Sequence, residues 1–196
     1  MGGEALVFRI DEEENALDSL ERAAEFLERR AELATWFKWT VLGLHHALYG
    51  FLICAIKGTD PDRVTDKRGR LISLWEALKR AQDHSWTHPG KTLVLSQDEK
   101  KAIEKIADSF RNEFQHFVPK GWSIFTRGSG DIFKHVARVI EFIVFESGNL
   151  NWFSGAEEDY VGHCDRQQER VRAAIARIRA EADSIAASAA TESPAR

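Results

Sequence analysis

Apolar residues recur along this chain at helical steps of three and four, and the segments they mark predict an all-α protein. Leu17, Leu20, Ala24, Leu27 and Ala31 stripe a first helix over about 11–34, and the acidic start Asp11-Glu12-Glu13-Glu14 suits the positive end of its dipole. Residues 35–57 are the most hydrophobic stretch and long enough to span a bilayer. Lys38, His45 and His46 interrupt it at a cost that lipid would not return, while Gly43 and Gly50 offer small surfaces for close packing. A central helix surrounded by the others is therefore expected, with no membrane partner. A charged loop with Asp60-Pro61 and Gly69 follows as a candidate binding loop, then a short helix over 71–82 with Leu71, Leu74, Trp75 and Leu78 turned inward. Beyond a loop at Pro89-Gly90, a helix over 97–118 opens on a capping box, Ser96 with Glu99, and stops at Pro119.

Ile132, Phe133, Val136, Val139, Ile140 and Ile143 predict another helix over 131–146, ended by Gly148. In the last helix, over 156–187, Val171, Ile175, Ile178, Ala182 and Ile185 form either the seam of a short coiled coil or the face of a helix docked along the bundle. The sum is an up-and-down bundle of four to five main helices. It forms a single domain over 1–187, followed by a small polar tail, 188–196, expected to be disordered. The short apolar run Ala5-Leu6-Val7-Phe8 either tucks against this body or stays loose. A length of 196 residues suits one domain with a sizeable core.

The formal net charge of −4 argues against a protein that coats nucleic acid non-specifically, while leaving room for a local basic site. Cys54 and Cys164 are too few for a disulfide framework or a cysteine zinc site. The N-terminus lacks the basic and apolar regions of a secretory signal, so a cytoplasmic protein is expected.

Candidate chemistry concentrates in Phe110-Arg111-Asn112-Glu113-Phe114-Gln115-His116-Phe117. Ile103, Ile106, Ala107, Phe110, Phe114 and Phe117 define the apolar face of that helix. At about 100° per residue, Arg111 and His116 fall on opposite flanks of this face, with Asn112 and Gln115 on the outward arc. Asn112 and His116 are helix-surface neighbours. The helix thus packs through its phenylalanines and presents a guanidinium, an amide and an imidazole.

An arginine, a polar residue directly after it and a histidine five positions on, late in a helix of a small helical protein, resemble the HEPN superfamily motif; the matching positions are Arg111, Asn112 and His116. The resemblance covers the motif and the helical character of about the central two-thirds of the chain. It implies a metal-independent endoribonuclease, without a cofactor, of a family that includes toxins and abortive-infection factors. It also implies a homodimer in which two motifs face each other, and an antitoxin among the partners. Some toxins of the family carry a modified Tyr two positions after the His; Val118 stands there in this chain, which argues against that route of regulation.

Metal-free RNA cleavage needs a base for the ribose 2′-OH, a stabiliser for phosphate charge and an acid for the leaving oxygen. His116 is an acid–base group near neutral pH. Arg111 is a planar phosphate binder. Asn112 can orient the imidazole or bond the phosphate. Lys120, Arg127, Lys134 and Arg138 extend a locally basic stretch and are the candidate RNA contacts, with Trp122 and Phe125 as stacking faces for unpaired bases. Against this stand simpler readings: Arg111 and His116 solvate a helix face or pair with acids, and the aromatics belong to the core. A non-catalytic module binding RNA, nucleotide or a protein is the rival function. His45-His46 lies in the apolar helix, where a hydrogen-bonded core histidine is expected ahead of a metal ligand, and His84/His88 and His163-Cys164 lack the further ligands a zinc site needs.

Overall fold

The most hydrophobic segment becomes the central helix, α2 (Trp36–Lys57). The computed structural model describes residues 10–87, 90–115, 123–152 and 160–191, the side chains of Tyr160 and 189–191 excepted. By length and composition α2 could cross a membrane, with a mean hydropathy of 1.5, yet 61% of that stretch is buried among the other helices. Its neighbours are α1 (Glu12–Glu28), α3 (Leu74–Ala81) and the motif helix, which runs from α4 (Gln97–Glu104) through a π-helical turn (Lys105–Phe110) into α5 (Arg111–Gln115). Next come α6 (Ser129–Glu141), which continues into a second π-helical turn (Phe142–Glu146), and α7 (Tyr160–Thr191). Counting the motif helix once, the described residues form a packed bundle of six helices; their extended pairing is limited to an isolated bridge between Thr65 and Leu71.

α1 and α2 approach each other closely. A Cβ on Gly43 would lie 2.7 Å from the Ser19 carbonyl oxygen, and one on Gly50 would lie 2.7 Å from the Ala16 Cβ. The two glycines stand about two turns apart on one face of α2. They meet the buried alanines 16 and 23 of α1, so the small residues expected to permit close packing do so. Leu17, Leu20, Ala24 and Leu27 complete the buried face of α1.

α7 closes the bundle against α1 and α6. Its Val171, Ile175, Ile178 and Ala182 are buried within the chain, which makes it a docked helix. Ion pairs border this seam: Arg170 with Glu14 (2.9 Å) and Glu21 (2.7 Å), Arg177 with Glu28 (2.5 Å), and Arg179 with Glu141 (2.6 Å). Each contributes little to stability in water, but together they match one register of α7 on its neighbours.

Three local expectations are corrected. α1 ends at Glu28 and turns follow it, which leaves Ala31 exposed. The short helix starts only after the Ser73 cap, so its inner face is Leu74, Ala77, Leu78 and Ala81, while Leu71 (54%) and Trp75 (41%) are exposed. α7 extends to Thr191, into the segment expected to be a disordered tail. The apolar run Ala5–Phe8 and the tail from residue 192 lie outside the described residues.

Gly43→Ala should destabilise the fold by about 1–3 kcal/mol, because the new methyl meets backbone and overpacking of this kind must move a helix. Urea unfolding measures it; an unchanged midpoint would mean that α1 and α2 stand further apart.

Candidate active site

The motif helix begins as its sequence prescribes. The Ser96 hydroxyl accepts from the Glu99 amide at 3.2 Å, and the Glu99 carboxylate accepts from the Ser96 amide at 2.8 Å. Ile103, Ile106 and Ala107 then enter the core. Across Lys105–Phe110 the helix widens into the π-helical turn, an addition that rotates everything after it by about 100° relative to an unbroken α-helix. Phe110 and Phe114 consequently meet Phe37 of α2, with ring centroids 5.1 and 6.2 Å apart in edge-on geometry. Arg111, directly after the widened turn, is held half-buried beside this aromatic contact.

The Arg111 guanidinium lacks a counter-ion: among the described residues no carboxylate pairs with it, and its buried Nε has no hydrogen-bond partner. Nη1 makes one long contact, 3.4 Å, to Oδ1 of Asn112. The Asn112 amide nitrogen in turn donates to the Asp108 carbonyl at 2.8 Å, and the Asp108 carboxylate accepts from the Trp75 indole at 3.1 Å. Asn112 is therefore braced against its own helix and faces the arginine. A half-buried guanidinium with an orphaned donor is costly, and an incoming oxyanion would remove that cost.

Two imidazoles from α2 lie within the field of this charge. His45 is buried, stacks edge-on with His46 at 5.6 Å, and leaves its Nδ1 without a partner. Burial, then the Arg111 charge, then His46 push the His45 pKa down to about 4. Burial and Arg111 likewise lower the pKa of His46, which is exposed at the surface. Tyr49, one turn further along α2, lies 6.4 Å from the His45 ring and donates its hydroxyl to the Ile72 carbonyl. The junction of α2 with the motif helix therefore combines a cation that no described carboxylate pairs with and two imidazoles held towards neutrality.

Arg111 and Asn112 are brought together here, whereas His116, Lys120, Trp122 and Val118 lie outside the described residues. The basic residues of α6 are occupied. Lys134 pairs with Asp131 and Asp183, both at 3.0 Å, and Arg138 with Glu146 at 2.5 Å and Glu141 at 3.5 Å. Arg127 is exposed, and Phe125 is 91% exposed, so this ring is not a core residue. Among the described residues no group of three or more His, Cys, Asp or Glu is assembled for a metal ion; His88 lies outside them. Cys54 is buried, and burial raises its thiol pKa, as befits a small hydrophobe.

Sequence reasoning passed over the histidine pair, which was expected to be hydrogen-bonded in the core. His45 is inside without a partner for Nδ1, and His46 faces out. No protein-family model, curated protein or solved structure matches the chain.

The depressed His45 pKa sets a pH dependence. Between about pH 6.5 and pH 4 the unfolded chain binds a proton that the folded chain refuses, so His45 lowers stability as pH falls through that window. The contribution is absent above the unfolded pKa and complete below the folded one. Relative to His45→Leu, the wild type should lose about 2 kcal/mol between pH 7 and pH 5. Urea unfolding at both pH values measures this; parallel behaviour of the two proteins would contradict the assignment.

Proposed function

We propose that this protein is a metal-independent endoribonuclease of HEPN-like, up-and-down architecture that cuts single-stranded RNA. The observation that carries the proposal is the half-buried Arg111, whose Nε has no partner and whose charge no described carboxylate neutralises. Such a guanidinium suits a scissile phosphate and the charge that develops on it. In this reading His116 is the acid–base catalyst, and Asn112 holds the arginine in place from its braced amide. The exposed Phe125 ring beside Arg127 suits an unpaired base. Lys120 joins Arg127 as a phosphate contact. Lys134 and Arg138, each already between two carboxylates, contribute less than their charges suggest.

The family resemblance extends the proposal to a homodimer with facing motifs, acting in the cytoplasm as a toxin or defence factor opposed by an antitoxin. A second reading has the same support from Arg111: an uncompensated guanidinium binds an anion whether or not cleavage follows. A non-catalytic module for RNA or nucleotide would use it in that way.

Cleavage of mixed single-stranded RNA in EDTA separates the two. Wild type should cut and leave 2′,3′-cyclic phosphate ends. Arg111→Ala should lower kcat/KM by about 10²–10³-fold, and His116→Ala by about 10²–10⁴-fold. A folded wild type that binds RNA through Arg111 without cutting it would favour the binding module.

A further inference from the structure

A groove of about 390 Å³ runs between α3 and α4. Trp75, Lys79 and Gln82 line it from α3, and Lys100 and Glu104 from α4. Its floor is apolar, made by the buried Leu78 and Ile103. Direct contacts join this groove to Arg111. The Trp75 indole donates to the Asp108 carboxylate at 3.1 Å, and Asn112 donates to the Asp108 carbonyl at 2.8 Å. Asn112 Oδ1 then accepts from Arg111 at 3.4 Å. The indole is thus held by its N–H edge, three residues before Arg111 on the motif helix, while its ring stays 41% exposed.

The polar groups of the groove divide into two kinds. Lys79 and Lys100 are exposed, and neither forms an ion pair with a described carboxylate. The other two are acceptors. The Gln82 side-chain nitrogen donates to the Leu78 carbonyl at 3.0 Å, which leaves Oε1 to face a ligand. The Glu104 carboxylate hydrogen-bonds to no described residue. An indole face over an apolar floor suits a nucleobase, and the two ammonium groups suit the phosphates on either side of it. The acceptors call for donors on the base edge. Cytosine, adenine and guanine carry an exocyclic amine, and a carboxylate accepts well from such a group. Uracil turns a carbonyl oxygen to the same place, against the charge of Glu104. A docked protein segment could fill the floor, but its apolar side chains would leave both acceptors without donors.

We propose that the groove between α3 and α4 is a nucleotide subsite that selects an amine-bearing base of single-stranded RNA. This rests on the reading above, in which the strand lies across Arg111. The base stacks on Trp75, Glu104 and Gln82 accept from its amine, and Lys79 and Lys100 hold the adjoining phosphates. The subsite sets which sequences reach Arg111 and takes no part in the bond that is cut.

The test measures binding of the full chain, in EDTA at neutral pH, to short 2′-O-methyl oligocytidine and oligouridine. Neither can be cut, and their bases are of one size. Wild type should bind oligocytidine about 10–100-fold more tightly. Glu104→Gln, whose amide can donate as well as accept, should remove that ratio. Trp75→Ala should weaken the binding of both by about 5–100-fold. Lys79→Gln and Lys100→Gln should each lower the slope of log affinity against log salt by about 0.7. Urea unfolding checks that every variant is folded; the lysine and glutamate positions are exposed. Equal binding of the two oligonucleotides by wild type, or a cytidine preference that survives Glu104→Gln, would overturn the inference. Binding that Arg111→Ala abolishes and Trp75→Ala leaves intact would also overturn it, with the ribonuclease reading left standing. Groove-dependent, cytidine-selective binding by a wild type that cuts no unmodified RNA would uphold the subsite and overturn the cleavage. Binding of neither oligonucleotide would overturn both and leave the groove to a protein partner.

Discussion

The burial of α2 is the constraint on which the rest of this molecule depends. Gly43 and Gly50 let α1 approach until backbone meets backbone, and this leaves the other sides of α2 to α3, α6 and the motif helix. On the motif-helix side the filler is aromatic, with Phe37 between Phe110 and Phe114. That contact fixes the depth at which Arg111 sits. A shallower motif helix would solvate the guanidinium, and a deeper one would demand an internal counter-ion.

The contrast with other cations of the chain gives Arg111 its meaning. Arg170, Arg177 and Arg179 on α7, Arg80 on α3 and Arg138 on α6 each have a carboxylate within 3 Å. These pairs lie along helix seams, where they match one register among many. Arg111 has instead an asparagine side-chain oxygen at 3.4 Å and two imidazoles that its own charge helps to keep neutral. Among the described residues, a position left unpaired in a chain this rich in carboxylates costs stability, which function can explain.

Much of the fold was legible because its signals are local. The capping box at Ser96 and Glu99, the stripes of α1 and α6 and the small residues of α2 each act within a few turns of helix, and the structure follows them. The inward Trp75 failed for a local reason too: its phase depends on where α3 starts, and the Ser73 cap starts it later than the apolar stripe suggests. The site was legible only in part. Arg111 and Asn112 could be named from the motif, but the π-helical turn before them is invisible to a count at 100° per residue. The pairings of Lys134 with Asp183 and of the Trp75 indole with Asp108 join residues far apart in sequence. Only packing decides such contacts.

The central claim is that an oxyanion of RNA belongs beside Arg111, between α2 and the motif helix. The most direct measurement is nitrogen-15 NMR of the arginine Nε–H and histidine ring signals during titration with a 2′-O-methyl oligonucleotide. The account predicts that the Arg111 Nε–H, which has no hydrogen-bond partner among the described residues, shifts downfield together with the His46 ring, and that Arg111→Ala abolishes the His46 response. Binding that leaves both signals in place and perturbs only the arginines of α7 would put the RNA elsewhere and contradict the account.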